Sequence, residues 1–187
     1  MSRSRAWALL PVAAILVAVS ASESAVPRQT PQAIPSGPPK AEVLRAAADV
    51  MRRARYATLV TIGAGGQPEA RIVDPLAPDS ALTVWVGTNP RTRKVSEIAR
   101  DARVTLMYFD ATSNEYVSLV GRAEVVRYTA SRRRYWKPDW APFYPKGALS
   151  EDFVLLRVRP TRLEIVSPRH KLVSDSLTWR PVTVTLP

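Results

Sequence analysis

A chain of 187 residues, 46% hydrophobic and 23% charged, is long enough for one domain with its own core and short for two. Lys and Arg number 27 against 16 Asp and Glu, a formal charge of +11 that favours anionic partners: nucleic acid, anionic lipid or a phosphorylated small molecule. Cysteine is absent and His170 is the single histidine, so disulfides, thiol nucleophiles, iron–sulfur clusters and thiolate zinc sites are excluded, and redox or group-transfer chemistry requires a bound cofactor.

Residues 1–21 read as a secretory signal peptide: Arg3 and Arg5, an apolar run from Ala6 to Val19, then Val19-Ser20-Ala21 as a cleavage site. The run falls short of the roughly 20 residues that cross a bilayer, so no stable span is expected in the mature form. Ser4 separates the two arginines, so the twin-arginine signal is not matched; export of an unfolded chain, to the periplasm or the exterior, is expected. Residues 22–40 carry Pro27, Pro31, Pro35, Pro38 and Pro39 and read as an extended linker. The domain is expected over residues 41–187, with a tail from about 169.

Within the domain, Lys40 to Arg53 predicts a helix with Leu44, Ala47, Ala48 and Met51 as its apolar stripe. Ala57 to Ile62 predicts a strand, GAGGQP a glycine-dependent turn, and Glu69 to Val73 a second strand. A third strand is expected over Leu82 to Val86, then a helix around Lys94 to Arg100. Val104 to Phe109 is apolar at both parities and predicts a strand buried on both faces. Tyr116 to Val126 alternates, with Val117, Leu119, Ala123 and Val125 on one face. Thr129 is placed to cap a short basic helix, ahead of the aromatic, proline-rich YWKPDWAPFYPKG. Phe153 to Val158 and Arg162 to Val166 predict a last strand or bent strand pair. Short strands with a helix after the third suggest a small, mainly β, antiparallel barrel of Greek-key type with peripheral helices. GAGG lies between two strands, so it is no dinucleotide fingerprint.

The stretch TNPRTRK, residues 88–94, places Arg91, Arg93 and Lys94 at or before a helix's first turn, where acidic residues are normally preferred. One reading is an anion site: unpaired helix-start amides, a Thr92 hydroxyl, and two adjacent cations. The other is a solvated basic turn, destabilised by about 0.3–1 kcal/mol per charge. Arg71, in EARIVDPL, has the same ambiguity: a ligand cation, or a surface strand charge pairing with Glu69 or a neighbouring strand.

Arg71-Ile72-Val73, then Thr88-Asn89 with Thr92-Arg93-Lys94, then Val117 to Glu124 with Gly121-Arg122-Ala123-Glu124, resemble in order and spacing the FMN-binding split barrels of the pyridoxamine-5′-phosphate-oxidase-like superfamily, general-stress-protein branch. The resemblance covers about residues 41–168. It implies a split β-barrel homodimer with FMN at the interface: Arg71, Ile72 and Val73 along the isoalloxazine and ribityl chain, Thr88 near the ring or ribityl, and Thr92, Arg93 and Lys94 on the 5′-phosphate. Tyr116 stands where related oxidases often carry a flavin-contacting glutamine. The arginine-rich substrate motif of those oxidases is not found in LVSDSLTWRPVTVTLP, which leaves pyridoxamine phosphate unsupported as substrate.

The functions left open are a flavin-dependent oxidoreductase with an unassigned small-molecule redox partner, a flavin-binding module without turnover, and a single-strand nucleic-acid binder using Arg132, Arg133 and Arg134 among aromatics. The expected signal peptide argues against the last. Related split barrels also accommodate haem or a deazaflavin. Trp136, Trp140, Phe143 and Tyr144 either roof a ligand or pack over a barrel end or dimer seam.

Overall fold

The computed structural model describes residues 37–175 and 177–187. The expected signal peptide and the linker up to residue 36 lie outside the described residues.

Helix α1 (Lys40–Ala54) buries Val43, Ala46, Ala47, Val50 and Met51. This stripe is turned by one position from the predicted one, with Leu44 and Ala48 on its flank. Both sets satisfy helical spacing, and only packing against the sheet decides between them. Strands β1 (Ala57–Ile62) and β2 (Pro68–Val73) form a hairpin. Its turn needs Gly65 and Gly66 at φ 73° and 82°, as GAGG anticipates.

Strand β3 (Val84–Thr88) starts later than expected, because Asp79 organises the preceding residues as a turn. Its carboxylate accepts the amides of Ala81 and Thr83 at 2.9 and 2.8 Å. There follow α2 (Arg93–Arg100), β4 (Arg103–Asp110), β5 (Glu115–Val126), α3 (Thr129–Arg134), β6 (Val154–Val166) and β7 (Val182–Thr185). Tyr128, not Thr129, is the capping residue of α3.

The strands pair antiparallel in the order β2-β1-β4-β5-β6-β3, with β7 added to β6. The split-barrel expectation is met: the curled sheet encloses Leu59, Leu106, Leu119, Leu156, Leu163 and Ile165, with α1 and α2 packed on the same core. The two predicted pieces at 153–166 are one 13-residue strand. It bends where its register with β5 shifts between Val120 and Gly121.

One expectation for β4 fails. Val104, Leu106 and Tyr108 point into the core, but Met107 and Phe109 face outward at 42% and 53% exposure. Apolar residues at both parities predict burial on both sides, and among the described residues the second side stays exposed.

The aromatic stretch forms a second core over β3 and β6. Trp85, Trp140, Phe153 and Leu155 are buried, with Tyr135, Trp136 and Tyr144 packed on them. Trp85 stacks on Tyr135 at 4.0 Å, and Trp136 meets Phe153 edge-on at 5.0 Å. For these rings the packing role holds, whereas Phe143 is exposed. Among the described residues no helix is long and apolar enough to cross a membrane.

Candidate functional site

The two ends of the strand path, β2 and β3, join through the bridge Pro75–Val86, where Leu76 N–H donates to Trp85 O at 2.8 Å. Away from this point the barrel is split, and α2 begins just after β3. Arg71 projects from the core side of the edge strand β2 towards α2. Its guanidinium donates to Glu97 Oε2 at 2.8 Å and to Thr61 Oγ1. Thr61 in turn donates to the same Glu97 oxygen at 2.5 Å. Arg93 places Nε 3.0 Å from Glu97 Oε1 and donates from its terminal nitrogen to Glu69 Oε2 at 2.9 Å.

Glu97 therefore gathers both arginines. It is 2% exposed. Burial pushes its carboxyl upward, but the Thr61 hydroxyl, the charge and hydrogen bond of Arg71, and the charge of Arg93 outweigh this and hold it below the usual range. Sequence reading passed over Glu97. The available signal was a carboxylate on the helix face repeating Arg93 at i+4, which presents it to the same strands. The expected Arg71–Glu69 alternative is replaced: Glu69 pairs with Arg93, and Arg71 with Glu97.

The start of α2 supplies the remaining donors. Thr92 is the capping residue but makes no side-chain cap bond. Its hydroxyl donates to Asn89 O at 2.8 Å and lies 3.2 Å from Thr88 Oγ1. Val95 N–H bonds Thr92 O at 3.0 Å, while the amides of Arg93 and Lys94 have no partner among the described residues. Lys94 is half-buried, with no ion pair among those residues. Burial first, then the charge of Arg71, pushes its ammonium down against a smaller opposing pull from Glu97. Two such amides beside an ammonium that is only partly compensated are suited to an anion with several acceptor oxygens.

The other predicted positions are dispersed. Thr88 is buried against Thr92. Val73 is in the core, leaving its main chain alone for a ligand. Ile72 points outward at 67% exposure. Tyr116 lies on that same outer face, between Phe109 and Val166, away from the inward-facing Arg71. Arg91 turns away and pairs with Asp152 at 2.6 Å. One copy thus brings together Arg71, Thr88, Thr92, Arg93 and Lys94, and carries Ile72 and Tyr116 on the opposite face of the sheet.

His170 does meet a serine and an aspartate: Nδ1 lies 2.7 Å from Ser167 Oγ and Nε2 lies 3.4 Å from Asp49. Ser167 is buried and donates its proton to Glu115 at 2.6 Å, so it is no nucleophile. Glu115 also accepts from Arg53, which reaches Asp110 at 2.9 Å, and the cluster ties α1 to the end of β6.

Residues 43–167 match the family model of pyridoxamine 5′-phosphate oxidase. The chain belongs to the pyridoxamine 5′-phosphate oxidase family. Among solved structures of the family's fold, it is similar to a protein related to general stress protein 26 from Clostridium acetobutylicum, at TM-score 0.67 and 19% identity over 79% of this chain and 96% of that one. A pyridoxamine 5′-phosphate oxidase-related, FMN-binding protein from Nostoc punctiforme aligns at TM-score 0.52 and 16% identity, over 76% and 95% of the two chains. A heme-binding protein from Mycobacterium smegmatis aligns at TM-score 0.58 and 19% identity, over 80% and 60%. At these identities the structures establish a shared fold. Among curated proteins none matches the sequence.

Proposed function

We propose that this family member is exported and binds FMN as a homodimer, with the flavin at the subunit interface, and acts as a flavin-dependent oxidoreductase on a small-molecule partner. The observation that carries this reading is Lys94, only partly offset by Glu97 and in no ion pair, beside the amides of Arg93 and Lys94, which are without partners among the described residues, at the split of the barrel. A phosphate dianion supplies the acceptors these donors lack, so the residues present fit the 5′-phosphate of FMN. Thr92, Arg93 and Lys94 would hold that phosphate, with Thr88 behind Thr92; because Arg71 shares Glu97 with Arg93, we read it too at the phosphate instead of along the isoalloxazine and ribityl chain. Bound flavin would supply the hydride chemistry, for which this chain carries no redox side chain of its own.

The dimer is supported by the outer sheet face, where Ile72, Met107 and Phe109 are exposed together with the half-buried Tyr116. Pairing two such faces would cover the second side of β4. It would also carry Tyr116 and Ile72 into contact with a partner copy.

A flavin-binding module without turnover is the second reading. It is favoured by Glu97, whose two oxygens are both engaged, so that this carboxylate is no free proton acceptor.

An absorption spectrum with mass spectrometry of the purified protein, followed by FMN titration and exposure to NAD(P)H, tests the readings. A yellow protein bleached by NAD(P)H supports the oxidoreductase, and a yellow protein inert to reductants supports the binding module. Colourless protein that ignores added FMN defeats both, and a Soret band would instead assign haem.

A further inference from the structure

The candidate phosphate site already contains an anion of its own. Glu97 is buried beneath the start of α2, where one oxygen accepts a hydrogen bond from Arg71 and the other forms an ion pair with Arg93 at 3.0 Å. Glu69 takes a further hydrogen bond from Arg93 at 2.9 Å. The cations Arg71, Arg93 and Lys94 thus face two carboxylates before any ligand arrives. Burying a guanidinium without a counter-ion is strongly unfavourable, so the largely buried Arg71 would be unstable there without either Glu97 or a ligand, whereas the exposed Arg93 carries no such penalty.

We propose that Glu97 is a built-in counter-anion that competes with the ligand's phosphate. It holds Arg71 and Arg93 in place in the ligand-free protein, and it weakens phosphate binding by neutralising part of their charge. Glu97 is in this sense a positioning residue that sets how readily cofactor exchanges. The inference rests on the proposed phosphate site and adds to it a distinction between phosphorylated and unphosphorylated flavin. A chain exported unfolded has to fold before it meets cofactor, and a resident carboxylate lets it do so.

The test is Glu97→Gln, which keeps the shape and removes the charge. FMN, riboflavin and inorganic phosphate are titrated into wild type and variant by calorimetry, and unfolding midpoints are measured with and without each. Deleting one negative charge this close to the phosphate is expected to tighten FMN binding by about ten-fold. Riboflavin affinity stays at the wild-type value. The ligand-free midpoint of the variant falls, and inorganic phosphate raises it by more than it raises the wild type.

If the variant does not fold alone, FMN or inorganic phosphate restores the folded signal and riboflavin does not. An FMN affinity that is unchanged or weakened overturns the inference, as does a chain left unfolded in saturating phosphate and FMN. Wild-type protein that binds neither FMN nor phosphate removes the phosphate site itself, and this inference with it. Wild type that prefers FMN over riboflavin, with the same preference in the variant, overturns Glu97's role alone.

Discussion

Arg93 and Lys94 are neighbours in sequence with different electrostatic situations. Arg93 is exposed and shared between Glu69 and Glu97, whereas Lys94 is half-buried and, among the described residues, in no ion pair. A new anion therefore gains more from Lys94, whose charge is offset only by the smaller pull of Glu97. Lys94→Ala is expected to weaken FMN binding more than Arg93→Ala, and the double variant by about 100-fold, from the loss of charge-assisted hydrogen bonds. Riboflavin, lacking the phosphate, should bind all forms alike. Fluorescence titration checks both statements, and undiminished FMN affinity in the double variant refutes the site. Elsewhere in the barrel, Tyr108 is buried and its hydroxyl has no hydrogen-bond partner among the described residues. Burial pushes its ionisation well above the ordinary tyrosine value. An unsatisfied buried hydroxyl costs about 1–3 kcal/mol, so Tyr108→Phe should leave stability unchanged or raise it. A clear drop in the urea midpoint would show that the hydroxyl has a partner in solution.

Elements were legible wherever one periodicity dominated. Strand β1 and the glycine turn after it follow directly from β-branched residues and paired glycines, and α2 from a polar helix with Val95 and Ile98 on one face. Three features were not. The stripe of α1 is ambiguous because Leu44 and Ala48 neighbour Val43 and Ala47, so burial order depends on the sheet beneath. The outward side of β4 could not be told from a buried one, since Met107 and Phe109 are as apolar as the residues facing the core. The bend in β6 depends on Gly121, whose role appears only against its partner strand. A Cβ at Gly121 would stand 2.2 Å from Arg159 O and 2.7 Å from Pro160 Cα, both main-chain atoms unable to move aside cheaply. Gly121→Ala should therefore destabilise the fold by about 3 kcal/mol, the upper end for overpacking. A denaturation midpoint equal to wild type would mean that the β5–β6 register slips without penalty. At the site, the cations and the helix start were readable as a cluster. Glu97 was not, because a lone carboxylate in RKVSEIAR gains meaning only when Thr61, Arg71 and Arg93 converge on it.

For the molecule as a whole, two buried carboxylate clusters bind distant segments: Glu97 joins α2 to β1 and β2, and Glu115 with Asp110 joins α1 to β4, β5 and the end of β6. The Ser113 hydroxyl and Arg53 hold Asp110 at about 2. Burial pushes Glu115 upward, but Ser167, Ser113, the Arg169 amide and Arg53 bring it below the usual range. Carboxyls depressed in the folded state contribute stability that is complete above their unfolded values and fades as pH falls through the folded ones. The unfolding midpoint should therefore drop between about pH 4 and pH 2 and hold steady from there towards neutrality. A midpoint flat across the acid range would show that the clusters contribute nothing. The outer sheet face makes the remaining demand. Ile72 and Met107 flank Thr58 on one row of the sheet, while Phe109 neighbours Tyr116 on the next. A stable interface needs roughly 800 Å² from each partner, so a dimer through this face has to engage the sheet around these side chains as well. The protein should therefore sediment as a dimer at micromolar concentration. Met107→Glu, which places a charge at the centre of the face without touching the barrel core, should yield monomers with an unchanged circular dichroism spectrum. Because Ile72 and Tyr116 lie on that face, the monomers should also bind FMN more weakly. Wild type that sediments as a monomer, or a dimer indifferent to Met107→Glu, would place the interface elsewhere.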